Sequence, residues 1–157
     1  MAEKVFFSFH YERDVHRVQM VRNINAIHGE PSVEPQKWEE VKKGGDAAIE
    51  NWVATQMKGK SACIVLLGTQ TCNRLWVQYE INHAWKTGTP LLAIRIHGLP
   101  SMSKGPDNPG PSPFKPEFQI PVFDPTVKDL FGNIDPSRTY NNLARNIETW
   151  SKSGRIR

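Results

Sequence analysis

After the punctuation Lys58-Gly59-Lys60, the chain runs Ser61-Ala-Cys-Ile-Val-Leu-Leu67, an apolar stretch with no polar alternation. A run that short and that continuous reads as a central parallel strand covered on both faces. Such a strand needs helices above and below it, so the rest of the chain has to supply two helical layers. The flanking patterns do so. Ile49, Trp52, Val53 and Met57 fall at i, i+3, i+4 and i+8, with Asp46 placed to cap their helix. Val77, Ile81, Ala84 and Trp85 form a second stripe, with Asn73 placed to cap it.

Strand and helix patterns alternate from the start. Lys4-Val-Phe-Phe-Ser-Phe9 reads as a first buried strand. Val15, Val18, Val21, Ile24 and Ile27 then predict a helix reaching about His28, closed by Gly29. Ser32-Val-Glu34 is a short second strand, and Pro35 to Gly45 reads as a loop carrying Trp38 and the pair Gly44-Gly45. Pro90-Leu-Leu-Ala-Ile-Arg-Ile96 is a further buried strand. Eight of the twelve prolines lie between Pro100 and Pro125, so residues 97–126 read as an irregular insertion. Within it, Phe118-Gln-Ile-Pro-Val-Phe123 fits only an edge strand, because Pro121 cannot donate to a ladder. A last helix begins at Ser137 or Arg138, with Tyr140, Leu143, Ala144, Ile147 and Trp150 on one face. The expected fold is a single doubly wound α/β domain over residues 1–157, with about five mostly parallel strands in the flavodoxin-like order 2-1-3-4-5.

Composition narrows the function. With 157 residues, one core is expected. No apolar run reaches the length of a membrane span, and Met-Ala-Glu-Lys leads into a strand rather than a signal peptide. Two cysteines without metal-ligand spacing fit a reducing, cytoplasmic setting. The five histidines are scattered, so no metal site is expected. The net charge of +4 is dispersed and accompanied by no nucleic-acid motif; it suits an anionic small molecule or partner rather than a nucleic acid.

In a doubly wound sheet, ligands bind beyond the carboxyl ends of the strands at the switch in strand order. Three polar loops would meet there: Ser8–Asp14, Pro35–Gly45 and Gly68–Asn73. The third leads into Trp76-Val-Gln-Tyr-Glu-Ile81, where Trp76 and Glu80 lie one helical turn apart. At about 100° per residue, Glu80 sits some 40° outside Ala84, at the border of the core stripe. An indole beside a lone carboxylate can stabilise a sugar cation formed when an N-glycosidic bond breaks. The plain alternative is a surface glutamate beside a packing tryptophan.

Phe6-Phe-Ser-Phe-His10 resembles the first strand motif of TIR domains. Gly44-Gly45 before a helix resembles their BB loop, and Trp76-x-x-x-Glu80-Ile81 resembles their Trp-Cys-x-x-Glu-Leu signature, with Val77 at the usual cysteine. Within that superfamily the chain looks like the ThsB-type TIR-like proteins, the sensors of the bacterial Thoeris antiphage system. Its Phe-Phe-Ser-Phe-His-Tyr opening and Pro-Leu-Leu-Ala-Ile strand carry this likeness. The resemblance implies a cytoplasmic NAD-consuming enzyme, silent until a phage-derived trigger acts. It would make a cyclic ADP-ribose isomer that reaches a separate effector. NAD is then substrate, no tightly bound cofactor is implied, and self-association is possible.

On that reading Glu80 stays ionised and stabilises the ribose cation. Trp76, with Phe9 or Tyr11, excludes water, and Ser8, His10 and Arg13 meet the phosphates, while Trp38 gates the pocket. Each has a duller rival: Phe9 as core, Trp76 and Trp38 as packing anchors, Tyr11 and Arg13 as solvated loop residues. Cys72 has no histidine placed to activate it. Two rival functions stay open, a non-catalytic TIR-type adaptor and a nucleoside deoxyribosyltransferase-like N-glycosidase. A receiver-type phosphotransfer protein is disfavoured, since no acidic cluster follows the first strand.

Overall fold

The computed structural model describes residues 4–24, 28–30, 35–101 and 105–157. Five strands, β1 (Lys4–Ser8), β2 (His28–Glu30), β3 (Cys63–Leu67), β4 (Leu91–Arg95) and β5 (Val122–Phe123), form one sheet in the order β2-β1-β3-β4-β5. Every strand pair in it is parallel. This is the flavodoxin-like order the alternation predicts. Among the described residues, five helices accompany the sheet: α1 (Tyr11–Arg22), α2 (Pro35–Lys42), α3 (Asp46–Met57), α4 (Leu75–Thr87) and α5 (Pro136–Ser151).

The sheet separates two apolar cores. Successive residues of a strand point to opposite faces, so Phe7 and Phe9 join α1 and α5 through Val18, Val21, Leu143 and Ile147. Phe6 instead joins α3 and α4 through Ile49, Val53, Met57, Val77 and Ile81. All five residues of β3 are buried, as expected of a strand covered twice.

Several expected boundaries move. The first helix ends at Arg22 rather than near His28, and Gly29 lies in β2 opposite Val5 instead of closing a helix. Ile24 stays in the core beyond the helix end, so apolar spacing by threes outlasts helical backbone. The proposed strand at 32–34 lies outside the described residues. Where a loop was read from Pro35, the chain forms α2, opened by the residue type that fits a first helical turn because its missing N–H would go unpaired there. Gly45, at φ 84°, takes the cap position expected of Asp46, which becomes the first helical residue. A Cβ at Gly44 would sit 2.7 Å from the Ala48 methyl, so local turn geometry accounts for this glycine pair. Arg74, not Asn73, precedes α4, and Asp135 caps α5 one residue before the helix starts at Pro136.

The described part of the proline-rich insertion is irregular except for a 3-10 turn at Pro116–Phe118 and the edge strand β5. It is nonetheless pinned. Arg17, buried in α1, donates from Nε to Leu99 O at 2.7 Å and from Nη2 to Gly105 O at 3.3 Å. Arg95 donates to Gly110 O at 2.7 Å. Asp107 N donates to His97 O at 2.7 Å, and Asp107 accepts an ion pair from Arg13. Arg17 also pairs with the buried Asp14 at 3.0 Å. Asp14 lies against Gly68, where any Cβ would run into its carboxylate.

Burial pushes the Asp14 carboxyl above its usual range, against the opposing pull of the Arg17 guanidinium. Arg17→Met removes that pull and leaves a buried charge unpaired, which costs about 3–5 kcal/mol at neutral pH. A folded-state carboxyl pKa above the unfolded value means the cost is full above the folded pKa. It fades as pH falls toward the unfolded value of about 4. Urea unfolding of both proteins at neutral pH and at the acid end checks this; an equal deficit at both would refute it.

Candidate functional site

The site is built where α4 crosses the carboxyl end of β1. After β3 the chain turns at Gly68, whose N–H donates to Thr71 Oγ1 at 2.7 Å, and passes through a 3-10 turn at Thr71–Asn73 into α4. Val77, Ile81 and Ala84 seat this helix on the sheet, and Gly88 ends it in the left-handed conformation at φ 77°. Seating the helix buries the border of its stripe as well, so Glu80 is only 2% exposed.

Two hydrogen bonds tie α4 to the end of β1. Ser8 Oγ donates to Glu80 Oε1 at 2.8 Å. One turn earlier, Trp76 Nε1 donates to the Phe9 carbonyl at 3.1 Å. Ser8 shares a strand face with Phe6, which is why its hydroxyl reaches α4. Around Trp76 stand two further groups. The His10 ring approaches edge-on, with centroids 6.4 Å apart and planes at 71°. The Arg74 guanidinium lies over the indole at 4.3 Å, a cation–π contact.

The structure therefore brings Ser8, His10, Trp76 and Glu80 together. Phe9 contributes its carbonyl, while its ring is 1% exposed within the α1–α5 core and does not face the crevice. His10 Nδ1 accepts from Arg13 N at 3.2 Å and so caps α1. Arg13 turns its guanidinium to Asp107 of the insertion. Tyr11 opens α1 and Trp38 sits in α2, but their side chains lie outside the described residues. Arg74 was not singled out from sequence; its signal is the step Arg74-Leu75-Trp76, which sets a cation beside the aromatic at the helix start.

Cys63 lies fully buried in β3, its thiol pushed well above the ordinary range by burial and, secondarily, by the charge of Glu80. It is a poor nucleophile there. The Cys72 thiol lies 3.6 Å from its neighbour's amide oxygen, and neither cysteine is in a disulfide. Among the described residues, no group of three His, Cys, Asp or Glu side chains could hold a metal ion. Nor is any helix there long and apolar enough to cross a membrane. The chemistry on offer is a buried carboxylate, held by a hydroxyl, with an indole wall and a guanidinium beside it.

Residues 6–101 match the family model described as Thoeris protein ThsB, TIR-like domain. A relative from Bacillus cereus (strain MSX-D12), named as a candidate cyclic ADP-D-ribose synthase, ThsB1, is 34% identical over 119 residues. The match covers 73% of this chain and 62% of the relative, so the chain spans less than two thirds of that protein's length.

Ser8→Ala tests the hydroxyl's part in holding the carboxylate. Removing one partner of a buried hydrogen bond costs about 1–3 kcal/mol, read as a lower urea midpoint at unchanged slope. A midpoint within error of the parent would mean that Ser8 does not support Glu80.

Proposed function

The chain belongs to the ThsB TIR-like family, and from that premise we propose that it consumes NAD, cleaving the bond between ribose and nicotinamide and closing the remainder into a cyclic ADP-ribose isomer. The observation that carries this reading is the buried Glu80 carboxylate, hydrogen-bonded by Ser8 and one turn from Trp76. The name of the Bacillus cereus relative supports the product class.

The chemistry asks for one carboxylate. As the bond to nicotinamide breaks, positive charge builds on the ribose while the departing pyridinium becomes neutral. The leaving group needs no proton, so the acid partner of a glycosidase pair is unnecessary. Glu80 acts as the ionised stabiliser of the ribose cation, and its dry surroundings strengthen that field. Ser8 holds the carboxylate in place rather than meeting the phosphates itself. Trp76 walls the reacting centre from water, which favours capture of the cation from within the same molecule over hydrolysis. Arg74 supplies positive charge on the outer side of Trp76, suited to the pyrophosphate.

The product signals to a separate effector, and a phage-derived trigger releases the activity. The protein works in the cytoplasm as a single domain over residues 1–157, with NAD as substrate and no tightly bound cofactor.

One observation favours the adaptor reading: Glu80 is nearly inaccessible, and it lines neither the groove of about 320 Å³ between α3 and α4 nor the cavity of about 580 Å³ beyond β4. Catalysis therefore requires opening around Trp76, which fits a protein that is silent at rest.

Chromatography of NAD after activation decides between them. Glu80→Gln keeps the shape and removes the charge, and a loss of at least about 100-fold in turnover is expected, the scale of deleting one electrostatic stabiliser. Turnover unchanged in Glu80→Gln would end the proposed mechanism, and a covalent glycosyl-enzyme trapped at Glu80 would favour the deoxyribosyltransferase-type reading.

A further inference from the structure

A cavity of about 580 Å³ opens beyond the ends of β4 and β5, walled by His97, Asp107, Asn108, Asp124, Thr126 and Lys128. Among its polar groups His97 is buried, while Asn108, Asp124 and Lys128 are exposed to an incoming molecule. The His97 Nε2 lies 3.4 Å from Thr126 Oγ1, and its Nδ1 has no hydrogen-bond partner among the described residues. A buried ring nitrogen left without a partner is costly, which points to a polar group supplied from outside the chain. Asp124 gives Oδ1 to Thr126 N at 3.0 Å, and its other oxygen carries no hydrogen bond among those described. Lys128 stands exposed at the rim and forms no ion pair among the described residues. Pro109 and Ile134 add apolar surface to the same walls.

A chain of contacts leads from Trp76, one helical turn from Glu80, to the cavity wall. Trp76 meets His10, His10 accepts from Arg13 N, and Arg13 pairs with Asp107 in the cavity wall. The sheet register sets the span. Ser8 is level with Val65, Val65 with Ala93, and Ala93 with Val122, two residues before Asp124. Three strand spacings separate β1 from β5, on the order of 14 Å. A molecule whose two sugars are separated by a pyrophosphate is long enough to cross that strand separation.

We infer that this cavity binds the adenosine half of the dinucleotide whose nicotinamide ribose reaches Glu80. The inference rests on the NAD reading above and adds a second subsite to it. Asp124 accepts from the ribose hydroxyls, as carboxylates at strand ends do in nucleotide-binding sheets. His97 and Asn108 offer hydrogen bonds to the base edge, and Pro109 and Ile134 cover its flat faces. Lys128 and Arg13, which is a third exposed (33%), are the cations on the phosphate side.

The probe is AMP, titrated into isotopically labelled protein and followed by amide shifts, which needs no turnover. Shifts should centre on His97, Asp124 and Thr126. Asp124→Ala should weaken AMP about tenfold, the scale of one charge-assisted hydrogen bond. Asp124→Asn, which keeps an acceptor for Thr126 N, guards against loss of the turn and should also weaken it. In activated protein AMP should compete with NAD, and Asp124→Ala should raise KM for NAD far more than it lowers kcat.

The inference is overturned by no AMP binding at millimolar concentration, by shifts centred on Ser8 and Trp76, by affinity indifferent to both Asp124 variants, or by inhibition that NAD cannot compete away. Failure of the NAD reading looks different. AMP would then bind at Asp124 in a chain that turns over no NAD under any trigger, and the nucleotide pocket would stand without the reaction.

Discussion

The buried hydrogen bond from Ser8 to Glu80 fixes the site to the end of β1. Taking a carboxylate out of water costs several kcal/mol, and the cost is bearable only when donors replace the lost hydration. Here the burial comes from α4 itself. Val77, Ile81 and Ala84 seat the helix on β3 and β4, and Glu80 is carried down with them. Packing and charge placement are thus one event. The pleat of β1 decides which group meets that charge. With Phe6 and Ser8 on one face and Phe7 and Phe9 on the other, a slip of one residue would set a phenyl ring against Glu80. Strand register is therefore a chemical constraint as well as a structural one.

Much of the sheet was legible because apolar pattern reports burial directly. The run at 61–67, the stripe Ile49–Val53–Met57 and the strand at 91–95 all lie where their patterns place them. Pattern failed where burial and backbone part company. Ile24 is in the core, yet helical backbone ends at Arg22, so the apolar spacing reported depth and not conformation. The reverse holds at α2. Its sequence, Pro-Gln-Lys-Trp-Glu-Glu-Val-Lys, has too few apolar residues to show a stripe, and the proline at its start was the one helical cue.

The pair Trp76 and Glu80 was legible because helical spacing alone brings them together. The partner of Glu80 was not. Ser8 lies 72 positions away, and only the parallel register brings its hydroxyl to α4. The same holds for Arg17, whose contacts reach Leu99 and Gly105 across 82 and 88 positions. In sequence it is one more basic residue on an amphipathic helix. Gly68 reads as an ordinary turn glycine until Asp14 is seen occupying the space of its missing side chain. Long-range polar contacts leave no periodic trace, and in this chain they organise the crevice.

Burial of Glu80 gives the site its strength and also its restriction. In a low-dielectric setting a fixed carboxylate acts on a developing cation far more strongly than it would in water. The same dryness pushes the Cys63 thiol well above its ordinary range, which leaves it a poor nucleophile. Yet a carboxylate on a residue only 2% exposed is equally closed to a dinucleotide. Among the groups that close it, Trp76 donates to the Phe9 carbonyl, His10 meets Trp76 edge-on while capping α1, and Arg74 stacks on the same indole. All three converge on Trp76. On the NAD-cleaving reading, access to the carboxylate depends on movement of that ring, with β1 and its register staying in place.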